Sequence, residues 1–345
     1  MFIDKLSDLH MHLNGSFSID FLERAAKRNR CEAVFHELKT LRESSQLINQ
    51  DGEPTRKETV DFYWKQFSCI HTIIQTPEDI YEGTIDVIGE SKASYLEIRT
   101  TPREMRGNSW EKYAEAFVSG LQEGNKHYKS IKLSKGLLSL DRTLHSETDS
   151  HSIIDYVVQE KNKHGLLVGI DVSGDPFRNR KLTGDVLIRV LKYALQKNIG
   201  VAIHLGEVKT SVEEDEVNKL LAFLSSWYED KNKKDPNPFQ GRVRLGHGIF
   251  LTDVQCNIIR RLQIPLEVCP TCHESVGWWN RLDIHPIKKN IYNSWADPIV
   301  IGTDDSFIFG GDAQQDAHEV LKIFDYPEGA DRKEVYEHHA KFRFG

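Results

Sequence analysis

The sequence lacks a basic excess: 45 Lys and Arg stand against 52 Asp and Glu, a formal net charge of −7. Proteins that coat nucleic acid gather positive charge on one face, so a nucleic-acid partner is set aside. It also lacks any apolar run near the ~20 residues of a membrane span; the longest, 165–170 and 299–302, fall far short. No apolar stretch follows the first residues, where Asp4 already intervenes, so no secretory signal is read. Cysteine is scarce, five in 345 residues at irregular spacing. An odd, scattered set suits a reducing compartment better than a disulfide frame. What is present is a core-forming complement, 39% hydrophobic with 16 Phe, 11 Tyr and 6 Trp, which excludes disorder as the main state. The expectation is a cytoplasmic globular protein, monomeric, with no membrane partner.

Eight short β-type runs recur along the chain: 6–12, 95–101, 133–141, 167–174, 200–207, 244–248, 265–270 and 299–305. Segments with helical spacing separate them. In 183–198 the stripe is Val186, Leu187, Val190, Leu191, Ala194 and Leu195, with Thr183 placed to cap. Another helix opens at Thr76, with Pro77 at its first position and Glu78 and Asp79 facing the positive end of the dipole. A third carries Val60, Trp64, Phe67, Ile70 and Ile74 at three-to-four spacing. Eightfold strand–helix alternation without a composition break reads as one α/β domain spanning 1–345, a (β/α)8 TIM-type barrel. The connection 13–94 is too long for one crossover helix and is read as a helical insertion capping the barrel mouth. Polar stretches 50–57 and 229–238 are read as exposed loops.

Residues costly to bury recur at the ends of those runs. The first ends His10-Met11-His12, the fifth His204-Leu205-Gly206-Glu207, the sixth contains Gly246-His247-Gly248, and the eighth ends Thr303-Asp304-Asp305. Residues i and i+2 of a strand share a face, so His10 and His12 both turn to the barrel axis. Singly these are ordinary, since a strand His is commonly core and an Asp pair commonly caps a helix. Together His10, His12, His204 and Asp304 make three imidazoles and a carboxylate, an N/O set suited to one Zn²⁺ with room for water. Cys269 and Cys272 form a lone Cys-x-x-Cys pair without a second pair or a His-x-Glu, so they are read as packing rather than as a redox or cytidine-deaminase site.

In this order and placement, these segments, with Asn14-Gly15-Ser16, Arg244-Leu245-Gly246-His247-Gly248 and Glu267-Val268-Cys269-Pro270-Thr271, resemble the adenosine deaminase family of zinc amidohydrolases. Phe67–His71 before Pro77-Glu78-Asp79-Ile80, strand 2 through Thr100-Thr101-Pro102-Arg103, and Asn14 in place of an acid bring the chain nearest the adenosine-deaminase-like N6-methyl-AMP deaminases. One departure stands out: the family's Ser-Asn after Cys-Pro-Thr is here Cys272-His273. The resemblance implies a barrel with one zinc on His10, His12, His204 and Asp304, and hydrolytic deamination of a 6-aminopurine nucleotide, N6-methyl-AMP to IMP and methylamine. Glu207 would protonate the purine ring, and His247 and Asp304 would supply the base and the orienting group for water. Substrate contacts would come from His12, Asn14, His71, Thr100, Thr101, Arg103, Asp141, Gly174 and Asp305.

Adenosine itself remains an alternative substrate, and so does a catalytically idle purine-binding barrel. A binuclear amidohydrolase is disfavoured because the run 166–175 holds no Lys to bridge two metals.

Overall fold

The computed structural model describes residues 6–48, 56–129, 132–232, 238–327 and 332–345. Eight parallel strands follow one another around a barrel: β1 (Ser7–His12), β2 (Tyr95–Thr100), β3 (Leu133–Asp141), β4 (Leu167–Ser173), β5 (Gly200–Leu205), β6 (Val243–His247), β7 (Leu266–Val268) and β8 (Ile299–Ile301). Each pairs with the next, and the chain after β8 returns to β1 through a parallel bridge between Met11 and Asp304. The strands are buried on both faces, which is why they read as near-continuous apolar runs rather than alternating ones.

Helices α1 (Ile19–Asn29), α2 (Glu32–Ile48), α3 (Arg56–Ile73) and α4 (Pro77–Glu90) lie between β1 and β2. Then α5 (Trp110–His127), α6 (Glu147–His164), α7 (Gly184–Gln196), α8 (Ser211–Asn232) and α9 (Asp253–Leu262) follow β2 to β6 in turn. After β7 come α10 (Pro270–Ser275) and α11 (Pro286–Asn290), and after β8 α12 (Ser306–Phe309), α13 (Ala313–Ile323) and α14 (Lys333–Ala340). The start of α4 forms as its sequence requires. Thr76 accepts from Asp79 N while the Asp79 carboxylate accepts from Thr76 N, a reciprocal capping box. Thr183 precedes α7 as expected, but its side chain makes no capping hydrogen bond.

Two loop readings are corrected. Arg56 and Lys57, assigned to a loop over 50–57, begin α3, and residues 50–55 lie outside the described set. The segment 229–232, assigned to a loop over 229–238, is the last turn of α8, and 233–237 lie outside the described residues. A polar, charged turn at the end of a helix, here Glu229-Asp230-Lys231-Asn232, has the composition of a loop, and the helix extends through it nonetheless. The last two strands are also shorter than the runs 265–270 and 299–305, because Pro270 opens a helix and Asp304 leaves extended geometry (φ 60°).

At the opposite end of the barrel from the strand termini, the C-terminal segment acts as a plug. Phe344 packs with Leu137, Val168 and Ala202, and its N–H donates to Glu97 Oε1 at 2.7 Å. Its ring occupies the space beside Gly200, where a Cβ would come within 2.2 Å. Among the described residues no helix is long and apolar enough to cross a membrane.

Candidate active site

Every side chain singled out at a strand end emerges at the same end of the barrel. Two of them, His247 (φ 63°) and Asp304 (φ 60°), sit in left-handed backbone, which costs a non-glycine residue about 1–3 kcal/mol. For Asp304 the neighbours enforce it: its N–H donates to His10 O at 2.7 Å and its C=O accepts from His12 N at 2.8 Å. Gly302 lets this bridge form, since a Cβ there would lie 2.4 Å from His10 Cβ.

His10, His12 and Asp304 converge. Asp304 Oδ1 is 3.4 Å from both His10 Nε2 and His12 Nε2, and one atom from each residue lies within 4.8 Å of the others. His204, the fourth expected donor, joins two other groupings within 4.8 Å, one with His10 and His247 and one with His12 and Asp171. Its ring centroid is 4.7 Å from that of His10 and 5.2 Å from that of His12. His10 Nε2 is fully buried without a hydrogen-bond partner. A buried nitrogen is rarely left so, and an unpaired imidazole beside a second imidazole and a carboxylate is what a zinc ligand needs. These residues fit a metal.

A second layer of charge, to which sequence reasoning assigned no role, supports them. Glu267 Oε2 lies 2.6 Å from His10 Nδ1, and Glu267 is held by Arg99 (3.0 Å) and Arg244 (2.7 Å), all fully buried. Asp171 Oδ1 takes Arg99 at 2.9 Å and faces His204 Nε2 at 3.2 Å. Asp8 accepts from Thr303 Oγ1 at 2.7 Å. The available signal was the cost itself: Glu97, Arg99, Asp171, Arg244 and Glu267 lie inside strands buried on both faces, where an unpaired charge is untenable. Carboxylates placed behind ligating imidazoles fix ring orientation and raise basicity.

Glu207 stands four residues ahead of α8 and is not part of its first turn, where Glu213 and Glu214 lie. Its Oε1 is 3.3 Å from His204 Nδ1 and 3.5 Å from His247 Nε2. Burial pushes the Glu207 carboxyl up, but the hydrogen bond and charge of His204, with His247 and Arg180, outweigh it and bring it down to about 2. Burial would lower His204, yet Asp171 and Glu207 lift it to about 10. Burial takes His247 down to about 4. The Asp305 carboxyl is driven well above its ordinary range by burial and then by the charge of Asp304 beside it.

Above this floor opens a cavity of about 270 Å3. Its walls include His12, Asn14, His71, Thr100, Thr101, Arg103, Asp141, Gly174 and Asp305, together with Glu207, His247 and Asp304; His10 lies beneath, fully buried. Helix α3 adds an apolar roof of Val60, Tyr63, Trp64 and Phe67, so part of the connection between β1 and β2 covers the mouth. Several of these residues already have partners. Thr100 Oγ1 and Tyr113 Oη are 2.5 Å apart, and Arg103 donates to Ile74 O at 2.9 Å. Asn14 Oδ1 has no partner. Cys272, read as packing alone, also lines the cavity, and all five cysteines are unpaired.

Gly174 has φ 133°, and a Cβ there would lie 2.9 Å from Asp141 Oδ1. Gly174→Ala is therefore expected to raise KM about tenfold or more, from about 1–3 kcal/mol of strain and lost ring space, while metal content stays unchanged. Steady-state kinetics with elemental analysis checks both; an unaltered KM would separate Gly174 from the substrate.

The profile of the family described as adenosine deaminase matches residues 6–224. The chain belongs to the adenosine deaminase family. That family is zinc-dependent in general, in keeping with the His and Asp groups described above. A curated relative, the N6-methyl-AMP deaminase of Danio rerio, is 28% identical over 331 residues, covering 92% of this chain and 84% of that protein. The crystal structure of the Arabidopsis N6-mAMP deaminase superposes with a TM-score of 0.75 at 22% identity, covering 98% of each chain. The Arabidopsis ADAL protein, solved with IMP, gives a TM-score of 0.73 at 22% identity over 93% of this chain and 87% of that one. The family's fold, a parallel eight-stranded barrel ringed by helices, is the fold seen here.

Proposed function

We propose that this protein is a zinc-dependent aminopurine deaminase that converts N6-methyl-AMP and water to IMP and methylamine. The observation that carries the reading is the floor of the cavity. A convergent His10–His12–Asp304 donor set, with His204 against it, lies beside a buried carboxyl, Glu207, and an imidazole, His247. Relatives named for N6-methyl-AMP support the choice of substrate.

His10, His12, His204 and Asp304 would hold one zinc. When bound, zinc lowers the pKa of a water ligand towards 7 and supplies a nucleophile at neutral pH. The residues of the chain do the rest. Water adds at C6 of the purine as a proton reaches N1; Glu207, a carboxylate in the metal-free site, is the group placed to take up a proton of that water and pass it on. The C6–N6 bond then breaks, and methylamine leaves with a proton taken from the added water. Asp305, its carboxyl kept protonated by burial and by Asp304, donates to the imidazole edge of the base. Gly174 leaves the ring room. His71 and Arg103, at the end of α3 and after β2, face the 5′ end, with Asn14, Thr100 and Thr101 beside them.

Adenosine is the second reading, and one observation favours it: the Arg103 guanidinium already donates to a backbone carbonyl, so its charge is partly engaged. A side-by-side assay of N6-methyl-AMP, AMP and adenosine, following purine absorbance and released amine, decides between them. Turnover of N6-methyl-AMP alone is the expected result, and turnover of adenosine alone would overturn the nucleotide reading. Asn14→Asp adds a charge where a phosphate carries nearly two, so kcat/KM for the nucleotide should fall about tenfold or more beyond any loss for the nucleoside. Equal losses on both would remove Asn14 from the phosphate argument.

A further inference from the structure

The departure from the family pattern at Cys272-His273 places an imidazole where the motif has an amide. His273 is fully buried in the last turn of α10, with Nε2 3.1 Å from His247 Nδ1 and Nδ1 3.0 Å from His285 Nε2. His285, at the start of α11, turns its Nδ1 to the backbone N–H of Ile287 at 3.3 Å. The three rings make a chain from a backbone amide to the floor of the cavity, and aromatic contacts hold it: Trp279 lies 4.9 Å from His285 and Trp278 5.4 Å from His247.

The direction of that chain follows from its far end. A backbone N–H only donates, so His285 Nδ1 accepts and its single proton sits on Nε2. That N–H donates to His273 Nδ1, which leaves the proton of His273 on Nε2. His273 in turn donates to His247 Nδ1, which leaves the proton of His247 on Nε2, the nitrogen facing His204 Nδ1 at 3.3 Å, Glu207 at 3.5 Å and Asp304 at 3.9 Å. Burial takes His285 down to about 3 and His273 well below its ordinary value, so these two rings carry one proton each. The hydrogen bond at one ring nitrogen selects the tautomer at the other.

We propose that His273 and His285 are positioning residues that lock the tautomer of His247, so that its Nε2–H donates to the reacting water instead of taking that water's proton. A neutral imidazole protonated at Nε2 has no lone pair there. Of the two roles that His247 and Asp304 were expected to share, this gives His247 the orienting one. The proposal rests on the deaminase reading of the site, but its main readout needs no turnover.

The test is long-range 15N–1H correlation of the metal-loaded protein labelled with 15N-histidine, with His247 assigned by the signals lost in His247→Gln. The expected spectrum has His247 protonated at Nε2 and unprotonated at Nδ1; protonation at Nδ1 overturns the proposal in the native protein alone. His273→Asp, whose carboxylate only accepts, should move the His247 proton to Nδ1 and lower kcat about 10²-fold or more with little change in KM. His273→Asn retains an N–H donor and should keep both the tautomer and most of kcat. Equal kcat losses in the two variants, or an unmoved tautomer in His273→Asp, would reduce His273 to packing. His285→Phe breaks the chain two rings away and should leave His247 a mixture of tautomers; a single unchanged form would remove His285 from the device. If the tautomers behave as stated while no aminopurine is turned over, the functional reading fails and the positioning stands.

Discussion

Glu207→Gln is expected to cut kcat by about 10²–10⁴-fold, a rise of about 3–5 kcal/mol in the barrel's catalytic barrier, while metal content and nucleotide affinity hold. The amide has the size of the carboxyl and can still pack 3.3 Å from His204 and 3.5 Å from His247, so the floor of the cavity need not move. What it lacks is the capacity to take up a proton and pass it to N1 as water adds at C6. Without that proton the ring nitrogen must carry developing negative charge in a buried site, and the addition stalls. Elemental analysis, calorimetric titration with IMP, and single-turnover kinetics separate the parts. Full metal, full affinity and an unchanged kcat would strike Glu207 from the chemistry; loss of metal instead would show that it acts through His204.

His10→Ala should lose metal and stability together. His10 is fully buried, its Nε2 faces Asp304 and His12, and its Nδ1 lies 2.6 Å from Glu267, so truncation removes a donor and leaves a buried carboxylate without its imidazole. Metal bound only by the folded state stabilises it by RT ln(1 + [metal]/Kd), about 4 kcal/mol at a thousandfold excess over Kd. The native protein should therefore lose about that much on chelation, and His10→Ala should lose nothing further. Denaturant unfolding with and without chelator reads both terms. One full equivalent of zinc in His10→Ala would mean that the donor set is wrong.

The strand-end segments were legible because each contradicts its surroundings. A His, Glu or Asp at the end of an apolar run has to be explained by something other than burial, and eight such runs in order admit few topologies. The roof of the cavity was legible in outline only. The stripe of Val60, Trp64 and Phe67 marked a helix, but nothing in its spacing said that its apolar face would close over the mouth rather than pack on the barrel wall. Residues 56–57 and 229–232 misled for the converse reason: their composition is that of solvated loops, and a solvated helix end has the same composition.

The charges inside the barrel show where local reading stops. Glu97, Arg99, Asp171, Arg244 and Glu267 lie on four different strands and up to 170 residues apart in sequence, from Glu97 to Glu267. Each alone is an anomaly; only barrel closure shows that Glu267 answers both Arg99 and Arg244 and stands behind His10. His273 and His285 are the same case in neutral form. Their spacing from His247 carries no periodic signal, because β6, α10 and α11 meet through packing rather than along one element.

By itself the sequence determined the order of strands and helices, the end of the barrel at which polar residues gather, and the donor types available to a metal, since burial cost and side-chain periodicity are local properties. The tertiary structure alone decided which donor faces which, where His204 turns its two nitrogens, which cavity residues are already engaged, and how a backbone N–H at Ile287 reaches His247. Those depend on distances between elements remote in the chain, and only closure of the barrel sets such distances.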